Sequence, residues 1–225
     1  MLTDKSMNQT VTKLKRFTAT LMDRLFIPVG QAEAKGLYQT TQPLHAIPDA
    51  SLFSPTPERW GGEGVYGWFL MDYTVPEALD SKALFIRPRT GFYEATLWVN
   101  GVIHSNFAAK FIEGSHGNHW CNRFTASAKA GEAFAFAMEC YAYHDMPGTQ
   151  PLTGEALADY TYPVAPTDIC MRDDEVMDFL FDLKTLLSLR KALPAGSFRR
   201  AAVENALYEA HLKLLYDPGA CPEEA

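Results

Sequence analysis

The chain has 225 residues, 47% of them hydrophobic and 12% aromatic, enough for one well-cored domain with an extension or for two small domains. Its net charge is −7 and its pI about 5.4, which excludes the basic footprint of a nucleic-acid or anionic-membrane binder. No apolar run is long enough to cross a bilayer and the first residues hold no apolar leader core, so the expected location is cytoplasmic.

Val11, Leu14, Phe17, Leu21 and Leu25 recur at steps of three and four, with Lys13, Lys15, Arg16 and Arg24 between them. That spacing predicts an amphipathic helix over about residues 10–26, stopping before Pro28. Residues 27–58 carry Pro28, Pro43, Pro48, Pro55 and Pro57, and predict an extended, mostly irregular connection with one strand over Ala34–Thr40.

A β unit follows. The aromatic- and glycine-rich run Arg59-Trp60-Gly61-Gly62-Glu63-Gly64-Val65-Tyr66-Gly67-Trp68-Phe69 reads as a tight loop feeding a strand over Tyr66–Thr74. Short strands are predicted over 83–87 and 92–99. Asn100-Gly101 then marks a two-residue hairpin, because both central positions of a type I′ turn need positive φ. Further strands are expected over 107–113 and 119–125. The longest, over 132–144, sets Phe134, Phe136, Met138 and Cys140 on one face and Ala133, Ala135, Ala137 and Glu139 on the other. Alanine at three positions of that second face implies the close approach of something large, such as a helix or the opposed sheet. Short strands at this spacing predict a sandwich or jelly roll.

Residues 144–168, with five Pro or Gly breaks, read as a linker. Helical period returns at Val176, Phe179, Leu180, Leu183 and Leu187, with Asp173, Asp174 and Glu175 at the start and Arg190 and Lys191 at the end, as the helix dipole favours. Pro194-Ala195-Gly196 breaks this helix, and a second runs from Phe198 to Tyr216, ended by Asp217-Pro218-Gly219. The expected fold is mainly β with flanking helices: an N-terminal amphipathic helix with its extended connection (1–58), a galactose-binding-like jelly-roll sandwich (59–168) and a C-terminal αα-hairpin (169–225).

Chemistry is harder to find. Cys121, Cys140, Cys170 and Cys221 show neither CxxC nor zinc-like spacing and read as reduced, mostly buried thiols. His116 and His119 are spaced i, i+3, but Gly117 and Asn118 between them indicate a turn, and no third metal ligand is placed. His144-Asp145 after the longest strand suits a sugar-binding rim, for which Trp60, Trp120, Tyr141 and Tyr143 could supply aromatic faces. The acidic residues, Glu63, Asp72, Glu94, Glu113, Asp173 and Asp174 among them, are scattered and suggest no catalytic pair. No nucleophile elbow, phosphate loop or nucleotide fingerprint occurs. The candidates for carbohydrate or domain-interface contact are therefore Trp60, His116, His119, Trp120, His144 and Asp145, with no catalytic residue and no metal ligand assigned.

The order of parts resembles the N-terminal region of glycoside hydrolase family 38 α-mannosidases, in the cytoplasmic bacterial and fungal-vacuolar branch. The similar features are the opening helix, Trp60-Gly61-Gly62 with Trp68-Phe69, Val75-Pro76-Glu77, Trp98-Val99-Asn100-Gly101, Asn118-His119, Ala130-Gly131-Glu132, and Asp174-Glu175 ahead of Leu183 and Leu186-Leu187. The resemblance implies a jelly-roll accessory domain and a helical linker leading into a catalytic α/β barrel. That barrel would hold the family's zinc and its aspartate nucleophile, and would be expected to begin near Ala225, so none of those ligands maps onto this chain. The expected partner is the catalytic domain of the same parent, with homo-oligomer and carbohydrate contacts as further expectations, and neither nucleic acid nor membrane. The alternatives are a free-standing carbohydrate-binding module or a jelly-roll module of another glycosidase.

Overall fold

The structure is a computed structural model that describes residues 4–108, 120–143 and 161–216. The chain divides into two compact units, Pro28–Met171 and, from its two ends, residues 1–27 with 172–225. Mainly β sheets with an N-terminal helix and two C-terminal helices make up the described residues, as expected.

In the unit built from the chain ends, α1 (Asp4–Met22), α2 (Asp174–Ala192) and α3 (Phe198–Tyr216) form a three-helix bundle. Met7, Leu14, Leu183 and Leu207 are its buried centre, flanked by Val11, Phe179 and Val203. The Phe17 and Phe179 rings meet edge to face at 6.2 Å. Asp173 is the N-cap of α2, its carboxylate accepting the Val176 N–H at 3.0 Å. Arg190 of α2 donates to Glu204 of α3 at 3.0 Å and so ties the two helices near their connection, while Arg200, one turn away on α3, donates to the same carboxylate at 3.0 Å. α1 starts six residues earlier than its apolar period suggests, because Met7 extends the buried stripe one turn towards the N-terminus. It ends at Met22, since Phe26 already begins a strand.

The other unit is a sandwich of two sheets that together take nine of the eleven strands among the described residues, the other two forming a small ribbon. A four-stranded sheet has the order β1-β11-β5-β8, from Phe26–Ala32, Thr167–Arg172, Leu84–Arg87 and Asn122–Thr125. A five-stranded sheet has the order β2-β4-β9-β6-β7, from Ala34–Thr40, Tyr66–Thr74, Ala133–Tyr141, Glu94–Val99 and Val102–Ala108. The strands β3 (Arg59–Gly61) and β10 (Thr161–Pro163) pair as a separate ribbon. Between the large sheets lies one apolar core: Leu84, Ile86, Phe124 and Ile169 from the first, Phe69, Met71, Leu97, Phe136 and Met138 from the second. Phe124 meets Phe134 and Phe136 edge to face at 4.9 and 5.1 Å across the layer.

β2, β4 and the β6–β7 hairpin fall where alternation and the Asn-Gly turn place them. Asn100 and Gly101 have φ of 51° and 81°, and Asn100 Oδ1 also accepts the Ala135 N–H at 2.9 Å. Several strands depart from expectation. β1 lies in the stretch read as mostly irregular; Pro28 and Gly30 mask it, and proline is tolerated there because β1 is an edge strand. β10 and the start of β11 lie in the stretch read as a linker. β11 is buried on both faces over Thr167–Cys170, so it lacks the alternation that would reveal it. The strand expected over 107–113 is the end of β7 as far as Ala108, and its remainder lies outside the described residues.

Trp60 belongs to this core. It is 2% exposed, its indole N–H donates to the Thr90 carbonyl at 2.6 Å, and its ring meets Phe69 at 5.4 Å and Tyr162 at 5.9 Å. The ring lies so close to Gly67 that a Cβ there would sit 2.5 Å from indole carbons.

Candidate functional site

The alternation of β4, β6 and β9 sends one set of side chains into the core and the other to the far face of the five-stranded sheet. Strand register then arranges that far face in rows. Glu139 on β9 is paired with Trp68 on β4 and with Thr96 on β6, and Thr96 with Asn106 on β7. One step along, Tyr141 is paired with Tyr66 and with Glu94, and Glu94 with Ala108. These two adjacent rows line a cleft of about 480 Å³.

Ala137 of β9 explains the placing of two indoles, Trp68 in the Glu139 row and Trp98 in the Ala137 row. Trp68 and Trp98 stand on the strands either side of β9, yet their ring centroids are 6.0 Å apart. Strands two apart are separated by roughly 9.5 Å, so the indoles lean together over β9, where alanine leaves room. Two indoles of the same sheet, rather than the helix or opposed sheet expected there, occupy that space.

Tyrosines form one flank of the cleft. Tyr66 and Tyr141 stack at 4.8 Å, Tyr141 and Tyr143 at 5.7 Å, and Tyr143 and Tyr93 at 5.1 Å. Burial first, then the charges of Glu139 and Glu94, push the Tyr66 phenol above its ordinary value. Burial likewise raises Tyr141, with the neighbouring tyrosines, Glu63 and Glu94 adding to it. Both phenols therefore hold their protons at neutral pH and can donate.

Glu139 is the half-buried acid of the cleft. Desolvation pushes its carboxyl above the usual range; the Leu44 N–H, donating at 3.1 Å, pulls it back, as do Trp68 and the charge of His45. The Trp68 indole N–H is close enough to act on the carboxylate but lies outside standard hydrogen-bond geometry. Glu94 is exposed on the neighbouring strand, diagonal to Glu139, a placement that sets Cβ atoms up to about 7–8 Å apart.

A second polar cluster sits on the four-stranded sheet. Asp168 on β11 is buried and accepts from both Arg87 Nε and Nη2, at 3.0 and 2.7 Å, with Arg89 at 3.7 Å. The Cys121 and Cys170 thiols lie beside it and act on each other. Their interaction pushes the Cys121 thiol up and holds Cys170 down, with Arg87 and Arg89 also favouring the Cys170 thiolate against its burial and the Asp168 charge. Cys121, Cys140 and Cys170 are free thiols, as expected; Cys221 lies outside the described residues.

Of the residues singled out in the sequence, Trp60 is enclosed in the core and offers no ring face to a sugar. Trp120 is half-buried with the Arg87 guanidinium 5.9 Å from its ring centroid. His116, His119, His144 and Asp145 lie outside the described residues. Tyr141, named as a possible aromatic face, does line the cleft. In the sequence Glu94 stands among scattered acids and Glu139 on an alanine-rich face, and the register brings them together. The missing signal was cross-strand register, which a single strand's alternation does not carry.

No protein-family model matches the chain, and no curated protein matches it. Some solved structures are similar over part of it. A β-glucuronidase from Ruminococcus gnavus, in complex with uronic deoxynojirimycin, has a TM-score of 0.42 at 11% identity, over 66% of this chain and 29% of that one. A Faecalibacterium prausnitzii β-glucuronidase has 0.39 at 15%, over 66% and 31%, and a calcium-binding mutant of Bacteroides uniformis β-glucuronidase 2 has 0.40 at 14%, over 62% and 18%. The likeness is one of fold. The chain spans less than a third of the length of these structures, and no residue role or ligand passes from them to it.

Proposed function

We propose that this chain is a non-catalytic accessory part of a glycoside hydrolase and, more finely, the N-terminal part of a family 38 α-mannosidase. In this reading the parent hydrolyses α-mannosides with retention in a zinc-dependent barrel outside this chain, in the cytoplasm. The chain would buttress that barrel and take part in oligomer contacts.

The observation that supports this reading best is the three-helix bundle. A free-standing binding module needs only its sandwich, whereas here α1 and the α2–α3 hairpin, drawn from opposite ends of the chain, share a buried centre. The order of parts is also the one that the family resemblance implies: helix, sandwich, helical hairpin. Phe181 on α2 and Phe198 on α3 are 64% and 88% exposed, apolar side chains where a neighbouring domain is expected.

The purified chain is expected to release no aryl alcohol from an aryl α-mannoside, with or without added zinc. Metal-dependent turnover would overturn the non-catalytic reading. The parent is tested separately by the genomic reading frame, which should continue past Ala225 into a barrel. A frame that ends without one would favour the alternative of a free-standing carbohydrate-binding module, for which the tyrosine-flanked cleft is the supporting observation.

A further inference from the structure

We propose that the cleft on the five-stranded sheet is a binding site for a neutral, hydroxyl-rich saccharide, with Glu139 and Glu94 accepting its hydroxyl protons and Tyr66 and Tyr141 donating to its oxygens. The site does not depend on the identity of the parent enzyme.

Its volume, about 480 Å³, falls within the roughly 300–1,000 Å³ of small-molecule clefts. The chemistry of the lining then selects the ligand. Tyr66, Glu94, Thr96, Asn106, Glu139 and Tyr141 bring two carboxylates, two phenols, a hydroxyl and an amide, with no lysine or arginine lining the cleft among the described residues. A pyranoside suits that set, because each hydroxyl can donate to a carboxylate while accepting from a phenol or an amide. A uronic acid or a phosphate would face two carboxylates with no lining cation among the described residues to pair it, so anionic ligands are disfavoured.

The cost of holding Glu139 in the sheet supports a recognition role. Its carboxylate is half-buried and among the described residues its one hydrogen bond of standard geometry is with the Leu44 amide, which leaves acceptor capacity that a ligand hydroxyl would use. A sheet face meant only for covering by another domain would carry apolar side chains at these positions, since burying a carboxylate without partners is costly. Here the tyrosine stack forms an apolar flank beside the acids, the pairing of a sugar's C–H surface with its hydroxyl rim.

The test is saturation-transfer NMR and calorimetry on the intact chain, with methyl α-mannopyranoside, methyl β-glucopyranoside and methyl β-glucuronide as probes at millimolar concentration. At least one neutral glycoside should bind, with the glucuronide about tenfold weaker or absent. Glu94→Gln and Glu139→Gln should each weaken binding by about tenfold, the loss of one charge-assisted hydrogen bond. Glu94→Gln is on the exposed rim and keeps the side-chain shape, so it reads the site even if Glu139→Gln disturbs the sheet. Absence of saturation transfer from both neutral probes, equal binding of the glucuronide, or full binding by both variants would each overturn the proposal. A chain that binds sugar but belongs to no mannosidase leaves this site standing, and a mannosidase part that binds none removes it.

Discussion

The contact between Gly67 and Trp60 permits a quantitative test of how the sandwich is packed. A Cβ on Gly67 would lie 2.5 Å from both Cε3 and Cζ3 of the indole and 3.2 Å from Cδ2. The ring has no retreat: it is held by the hydrogen bond to Thr90 and packed by Phe69 and Tyr162. Nor does the glycine, whose strand is paired on both sides, with Gln39 and with Cys140. Gly67→Ala should therefore sit at the upper end of overpacking penalties, about 3 kcal/mol. Trp60→Leu deletes both clashing atoms but opens a cavity and leaves the Thr90 carbonyl without its donor, at a cost of about 3–4 kcal/mol. In the double variant the alanine methyl enters space the indole has left, so the glycine penalty should fall close to zero and the coupling should reach about 2 kcal/mol or more. Urea unfolding by circular dichroism measures the three variants. Hydrogen exchange of the β4 peptide assigns the effect to the sandwich rather than to the helical bundle. Additive penalties, with coupling below about 0.5 kcal/mol, would refute the claim that the indole and the glycine are matched.

Three further outcomes are expected. Asp168→Ala leaves the Arg87 guanidinium, only 18% exposed, without its carboxylate and should cost about 3 kcal/mol; Asp168→Ala with Arg87→Met should recover part of it in the same unfolding assay. Glu139 has a raised pKa, so the folded state binds its proton more tightly than the unfolded state. Stability from this group falls as pH rises from the ordinary value of 4.5 through the folded value, and the penalty is full above it. Glu139→Gln should accordingly gain thermal stability over the parent chain near neutral pH, with the gain vanishing below pH 4.5. Asp173→Ala removes the N-cap of α2 and should destabilise the bundle by about 1 kcal/mol, with faster amide exchange confined to the first turn of that helix.

Much of the fold was legible because its signals are local. The periods of β4, β9, α2 and α3, and the Asn100-Gly101 turn, each depend on neighbours a few residues apart. What stayed hidden depends on partners far along the chain. β11 is recognisable only once Asp168 is known to meet Arg87, 81 residues earlier. Trp60 looked like a surface ring because a glycine-rich stretch suggests a loop, whereas Gly61 ends a short strand and Gly67 clears space for the indole. The cleft was the least visible feature. Its acids and phenols lie on different strands, and only register places Glu94 diagonal to Glu139 and Tyr66 beside Tyr141.

The paired indoles above β9 also have an optical consequence. Two tryptophans with centroids 6.0 Å apart, one of them fully enclosed, form a coupled pair of chromophores whose transitions mix. Such a pair gives a far-ultraviolet dichroic couplet that exists only while β4, β9 and β6 are aligned. The nearby tyrosine stack would feed excitation into it. The sandwich thus contains its own spectroscopic gauge of strand register, read without any label as the difference between the chain and a Trp98→Phe variant, in which the peptide bands of the tryptophan-free helical bundle cancel.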